Sequence, residues 1–376
     1  MVVISGWEAL MHPDFFRLCD MIRSADIKIM IEEKLNYKSW QFKSLPKRIL
    51  IIRLQAMGDV AITLPYVQSL KEKLPAITKL DFLTRNEVKD VPGSVKLYDW
   101  IYSIGGGRNT MLQLISLLFL LPKLKSNNYD IVIDLQRNKL SRLVRKFIDP
   151  VAWSEIERFS ETSAGDKYQK GIEAVGLGSI KLNTGLQLKK PDAGRIKLIN
   201  AGWNSSKKLV VLNPAGAFST RNWQIDNYVK FAELWKTNFP DTQFLILGLK
   251  TISEKVLFLK KILKDNLIDL VNTEGTSAEE AFAIINKSYF VLTEDSGLMH
   301  MSWVSGIPTL ALFGSSRSDW SAPQGEHSLC LNSSDLECGN CLLEVCKYGD
   351  THCLTRYTPE FVFDKAISLL KRIGRL

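Results

Sequence analysis

The sequence predicts an α/β chain of parallel sheets covered by helices on both faces. Three observations carry that expectation. From Lys47 onward, apolar strand-like runs alternate with helical stretches. The alternation restarts after a polar, lysine-rich stretch around Lys189 to Lys208. At 376 residues, 45% of them hydrophobic, the chain is long enough for two cores, because single cores stop growing near ~250–300 residues.

Residues 1–46 are helix-prone and mixed in charge, without the strand–turn–helix grammar that follows, and are expected to form an amino-terminal helical extension. The first series, residues 47–200, runs RILIIRL, a helix over Val60–Lys73, KLDFLT, an apolar helix over Met111–Leu121, and DIVIDL at Asp130–Leu135. The second, residues 201–357, runs LVVLNPA, a helix over Ile225–Asn238, QFLILG, a helix over Glu254–Lys264, DLVNT, a helix over Ala278–Asn286, YFVLTEDSG, a helix over Leu298–Ser305, and TLALFG. Two Rossmann-like units in tandem follow from this order. A last helix within 358–376 opens on Thr358-Pro359-Glu360: a cap, a proline suited to the first turn, and an acid favoured at the positive helix end.

The net charge of +9 points to anionic company, such as phosphorylated small molecules, nucleic acid or an acidic membrane face, or to a merely soluble surface. The opening MVVISGWEALMHPDFF has no basic segment before an apolar core, so no secretory signal is expected. Met111–Leu121 falls well short of the ~20 residues a spanning helix needs and reads as a buried or membrane-touching amphipathic helix. Of the six cysteines only Cys19 lies outside Cys330–Cys353, which together with the missing signal favours a reducing cytoplasm.

Ligands of open parallel sheets sit beyond the carboxyl ends of the strands, so the strand-to-helix turns are where chemistry is expected. In RLQAMGDVAITLP, Gly58 permits close backbone approach and Asp59 sits near a helix start, either as a cap or facing a crevice. In NPAGAFSTRNW, Gly216 leaves backbone N–H groups accessible, Ser219 and Thr220 add hydroxyls, and Arg221 offers a fork matched to phosphate oxygens. In TEDSGLMH, Asp295 caps or projects, Gly297 allows close approach, Leu298 begins a helix whose N-terminus attracts negative charge, and His300 lies in its first turn.

These turns, in this order, resemble those of glycosyltransferase family 9, the group of the bacterial lipopolysaccharide heptosyltransferases. ILIIRLQAMGDVAITLPYVQSLKEKLP is similar to its amino-terminal signature, YDIVIDLQRNKLSRLV to its mid-domain strand and helix, NPAGAFSTRNW to its phosphate-side loop, and LTEDSGLMHMSWVSGIPTLALFG to its carboxy-terminal stretch. The likeness extends from about Lys47 through the final helix.

The resemblance implies a GT-B architecture, two Rossmann-like domains facing a central cleft, with the final helix packing back towards the first domain. It implies inverting, metal-independent transfer of a sugar, best heptose from ADP-heptose, to a hydroxyl of a cell-surface glycan such as lipopolysaccharide inner core. Alternatives are a non-catalytic nucleotide-sugar-binding relative, or transfer to another glycan or to protein. Asp59 becomes the general base. Arg221 matches a basic position usually held by lysine, Ser296 and Gly297 offer N–H groups to the departing diphosphate, and Asp295 resembles the aspartate that meets the donor sugar. Arg53, Arg137, Lys139 and Arg142 are candidates to meet an anionic glycolipid or glycan acceptor. No cofactor is expected beyond the nucleotide sugar, and no nucleic-acid partner; peripheral contact with the inner membrane surface is compatible with this role. Leu249-Lys250-Thr251 departs from the pattern where many members carry an acid that holds the donor ribose. Cys338, Cys341, Cys346 and Cys353, in the loop 338–353, are candidate ligands of a structural zinc or iron, or else reduced thiols in a packed loop.

Overall fold

The computed structural model describes residues 35–157 and 162–376. The first 34 residues, on which most of the expected helical extension falls, lie outside the described residues. Residues that extension would have included, Asn36–Lys38, form a strand (β1) antiparallel to β6 (Ala152–Glu155). So this end of the expected extension is an edge strand of the first sheet.

That sheet has the order β1-β6-β5-β2-β3-β4, with β2 Arg48–Ile52, β3 Lys79–Arg85, β4 Trp100–Ile104 and β5 Ile131–Asp134. Its helices are α1 (Met57–Lys73), α2 (Thr110–Ser126), α3 (Lys139–Ile148) and α4 (Ala164–Glu173). β2 is central, pairing Ile49 with Leu80 on one side and Ile131 on the other. Ile49, Leu50, Ile51 and Ile52 are all fully buried, as a parallel strand covered on both faces requires.

After the short linking helix α5 (Arg195–Asn200) a second sheet has the order β12-β11-β10-β7-β8-β9. It comprises β7 Lys208–Asn213, β8 Thr242–Ile246, β9 Leu267–Asp269, β10 Phe290–Glu294, β11 Thr309–Leu312 and β12 Ser328–Leu331. Helices α6 (Ile225–Asn238), α7 (Ser253–Leu263), α8 (Ala278–Ile285) and α9 (Gly297–Val304) connect them. All its pairings are parallel, and read from β9 the order is the doubly wound 3-2-1-4-5-6.

The final helix α10 (Pro359–Arg372) starts as its sequence foretold, with the Thr358 hydroxyl accepting the Phe361 N–H and proline in the first turn. Its packing corrects the expectation that it returns to the first domain. Val362, Ala366, Leu369 and Leu370 join the core of the second domain, and Phe363 meets Phe231 and Trp235 of α6 edge-on. Its apolar stripe is matched by an aromatic face close by in the same domain, so burial is satisfied without a crossing.

The two domains meet through α1 and α9. Gly58 lies against the His300 ring, so close that a β-carbon there would stand 2.5 Å from Cδ2, and Gly297 lies against the Met57 thioether. Tyr66 of α1 also bonds Gln324 of the second domain, whose amide donates to Ser163 Oγ at 2.8 Å.

Candidate functional site

In doubly wound sheets the crevice opens where strand order reverses. That point lies between β2 and β5 in one domain and between β7 and β10 in the other. The turns leaving these strands border a cleft of about 680 Å³ lined by Arg53, Asp59 and Tyr168 from the first domain and by Arg221, Asp295 and Trp320 from the second.

Asp59 is the third residue of α1 and does two things. Its Oδ2 accepts the Ala56 N–H at 3.0 Å, satisfying a free donor at the helix start, and pairs with Arg53 Nη2 at 2.7 Å. Its Oδ1 accepts the Tyr168 hydroxyl at 3.2 Å, and 37% of the side chain stays open to solvent. Cap and cleft-facing acid, alternatives in the sequence, are one residue here. Burial opposes ionisation, but the Arg53 charge and the Ala56 N–H outweigh it and hold the carboxyl below the usual range.

Arg53 is itself fixed: Nη1 donates to the Leu135 carbonyl at 2.6 Å and the guanidinium lies 5.3 Å from the Tyr168 ring centre. The two turns at this switch point are braced together. Gln136 Oε1 accepts the Leu54 N–H at 3.0 Å, while Asp134 Oδ1 accepts the Gln136 and Arg137 N–H groups at 2.9 and 2.8 Å.

Across the cleft, Arg221 Nη1 pairs with Asp295 Oδ2 at 3.2 Å, and the Ser316 hydroxyl donates to the same oxygen at 2.7 Å. The loop presenting Arg221 is clamped from below by Glu294. This fully buried carboxylate accepts the Gly216 N–H and the Trp223 N–H, each at 2.7 Å, and burial pushes its pKa up to about 7. Gly216 is needed because a β-carbon there would collide with the Arg221 carbonyl oxygen. Gly216→Ala is therefore expected to destabilise by about 1–3 kcal/mol, and Gly297→Ala by less, since the Met57 side-chain end it meets can move. Thermal unfolding of the two variants checks the order.

Over residues 173–352 the sequence matches the family described as glycosyltransferase family 9 (heptosyltransferase). It is 30% identical over 171 residues to lipooligosaccharide heptosyltransferase 2 of Campylobacter jejuni, a match covering 44% of this chain and 52% of that one. Over that part of its length the chain resembles glycosyltransferase family 9. It spans about half the length of the Campylobacter jejuni relatives it matches. The fold is shared with a family 9 glycosyltransferase from Veillonella parvula (TM-score 0.70, 19% identity, 86% of this chain and 97% of that chain). It is shared too with the ADP-heptose heptosyltransferase II of Escherichia coli (TM-score 0.68, 16% identity, 87% and 99%). The architecture of this chain is accordingly GT-B.

Several candidates turn out to hold the fold together rather than line the cleft. His300 is buried at the domain contact and takes the Trp303 indole N–H on Nδ1 at 3.2 Å, and burial lowers its pKa against the pull of Asp295 and Asp59. Leu298 is core, and Ser296 Oγ caps α9 while accepting Asn213 Nδ2 at 2.7 Å. Ser219 and Thr220 point away from the cleft, donating to the carbonyls of Glu344 (3.0 Å) and Leu343 (2.5 Å). Arg137 and Arg142, with Arg145, surround the fully buried Glu155 at 3.7, 3.1 and 2.5 Å, which ties α3 to β6. Of the four acceptor-side candidates, Arg53 lines the cleft and Lys139 lines a neighbouring hollow.

Tyr168, Lys167, Ser316 and Trp320 line the cleft without having been singled out. Ser316 and Trp320 follow β11 directly, so the strand-end rule that located the other turns could have found them. Tyr168 and Lys167 sit on α4, far in sequence from Asp59, and carried no local signal.

The four clustered cysteines border one hollow of about 300 Å³ together with Asp350 and His352. They do not fit a metal centre: among the described residues no three histidine, cysteine, aspartate or glutamate side chains come together closely enough to hold an ion. Cys341 is exposed, and Cys346 Sγ turns to Asp350 Oδ1 at 3.9 Å.

Proposed function

We propose that this chain is an inverting, metal-independent glycosyltransferase. It moves a sugar, best heptose from ADP-heptose, to a hydroxyl of a lipopolysaccharide inner-core acceptor. One observation carries the reading: an ionised Asp59 from one switch point shares a cleft with Arg221 and Asp295 from the other. Asp59 takes the proton of the acceptor hydroxyl as that oxygen bonds to the anomeric carbon from the face opposite the diphosphate. The bond to the diphosphate oxygen breaks and its electron pair leaves with the nucleotide. Arg221 and the N–H groups at the start of α9 meet the charge that develops there.

The names of the relatives support this donor and acceptor, since they are described as lipooligosaccharide and ADP-heptose heptosyltransferases. Nucleotide choice is open to direct test, because Leu249, 77% exposed just after β8, stands where many members place the ribose-binding acid. Titration with ADP, GDP and UDP is expected to single out ADP. Arg221→Ala should weaken it about tenfold, by loss of a charge-assisted contact. Equal binding of all three nucleotides, or none by the intact protein, would overturn the donor assignment.

A further inference from the structure

Helix α2 departs from the pattern of an ordinary surface helix. Its inward stripe is Gln113, Leu117, Leu121 and Leu124, spaced by three and four. The outward face should then be polar. Instead Met111, Leu112, Leu114, Ile115, Leu118 and Phe119 face solvent, Leu118 at 53% and Phe119 at 83% exposure. At about 100° per residue these six occupy one arc of roughly 160°. From Thr110 to Pro122 not one residue is charged.

Positive charge frames this face. Arg108 precedes the helix, and Lys123 and Lys125 lie in its last turn. The Lys123 ammonium rests 5.3 Å from the ring of Trp100, which is itself 53% exposed, a pairing of apolar body and polar tip suited to a water–lipid boundary. Beside the first turn, Arg85, Arg108 and Lys139 line an open hollow of about 510 Å³ with Thr110 and Gln113. Arg108 and Lys139 make no ion pair among the described residues. Gln55 borders both this hollow and the Asp59 cleft.

We propose that α2 seats the protein on an anionic lipid bilayer, its apolar face entering the headgroup–acyl boundary and the surrounding arginines and lysines meeting lipid phosphates. No helix among the described residues is long and apolar enough to cross a membrane, so the contact is one of lying in the interface. Charge selects this occupant over a second copy of the chain. Two-fold pairing through α2 would bring the same basic frame against itself, whereas an anionic surface neutralises it. The inference stands on the helix face and its charges. Combined with the sugar-transfer reading, it opens the acceptor side of the cleft next to the membrane surface.

The test is co-sedimentation of the full chain with phosphatidylcholine vesicles, with and without phosphatidylglycerol. Binding is expected on the anionic vesicles, weaker at high salt, and reduced at least about tenfold by Leu118→Glu with Phe119→Glu. Arg108→Glu with Lys139→Glu should reduce it as well. The replaced apolar side chains are exposed, so the melting temperature should hold; should the glutamates disturb folding, Leu118→Ser with Phe119→Ser removes the same surface more gently. No binding to anionic vesicles, or equal binding by the wild type and the folded α2 variants, would overturn the proposal. So would a dimer that those variants dissociate, because it would give the face to a second copy. Vesicle binding is read without any transfer assay. Loss of transfer to a water-soluble, deacylated acceptor would therefore count against the catalytic reading and leave this one standing.

Discussion

Asp59→Asn is expected to lower kcat by about 10²–10⁴-fold while leaving nucleotide affinity within a few-fold. The amide keeps the carboxylate's shape and still offers an oxygen to the Ala56 N–H, so the start of α1 survives. It cannot take a proton. Arg221 and Asp295, on the opposite wall, are untouched, which is why binding and chemistry should separate. Asp59→Ala removes cap and base together and should cost about 1 kcal/mol of stability in addition.

The pH dependence follows from the direction of the shift. The folded carboxyl titrates below its unfolded value, so the Arg53 pairing contributes stability present above about pH 4 and lost as pH falls through the lower folded value. Transfer should likewise show no acid limb from Asp59 above about pH 4. A variant Asp59→Asn that retained transfer within a few-fold would remove Asp59 from the chemistry.

Glu294→Ala is expected to cost about 3 kcal/mol or more, because the N–H groups of Gly216 and Trp223 would be left buried without an acceptor and a cavity would remain. The effect reaches the site, since this carboxylate sets the loop that presents Arg221. Burial gives it the opposite pH sign from Asp59. With a folded pKa of about 7, above the unfolded value, its contribution is fully present below about pH 4 and is lost as pH rises towards 7. Asp134, pushed up to about 6 by burial, acts in the same direction. Glu294→Gln should therefore flatten part of the decline in melting temperature between about pH 4 and pH 7. An unchanged slope in that variant would show that Glu294 is ionised throughout.

Much of this molecule follows from local pattern. Apolar runs such as Ile49–Ile52 could only be strands covered on both faces, and rules for strand ends led to Asp59, Arg221 and Asp295, which do share a cleft. Those inferences need only a few neighbouring residues and the period of their hydrophobicity. Which partner a side chain takes is a different matter, decided by segments far apart in sequence. Arginine at 137 and 142 has the same chemistry whether it faces a ligand or a buried acid, and only the fold brings Glu155 between them. Asp59 gains Tyr168 from a helix 109 residues away. The hydroxyls of Ser219 and Thr220 are taken by carbonyls at 343 and 344, and α10 finds aromatic rings on α6 nearer than the first domain. The composition of α2 was plain from the start. That its apolar face is left uncovered was decided by tertiary packing, because one stripe of the helix already satisfies the core and nothing else among the described residues reaches the other.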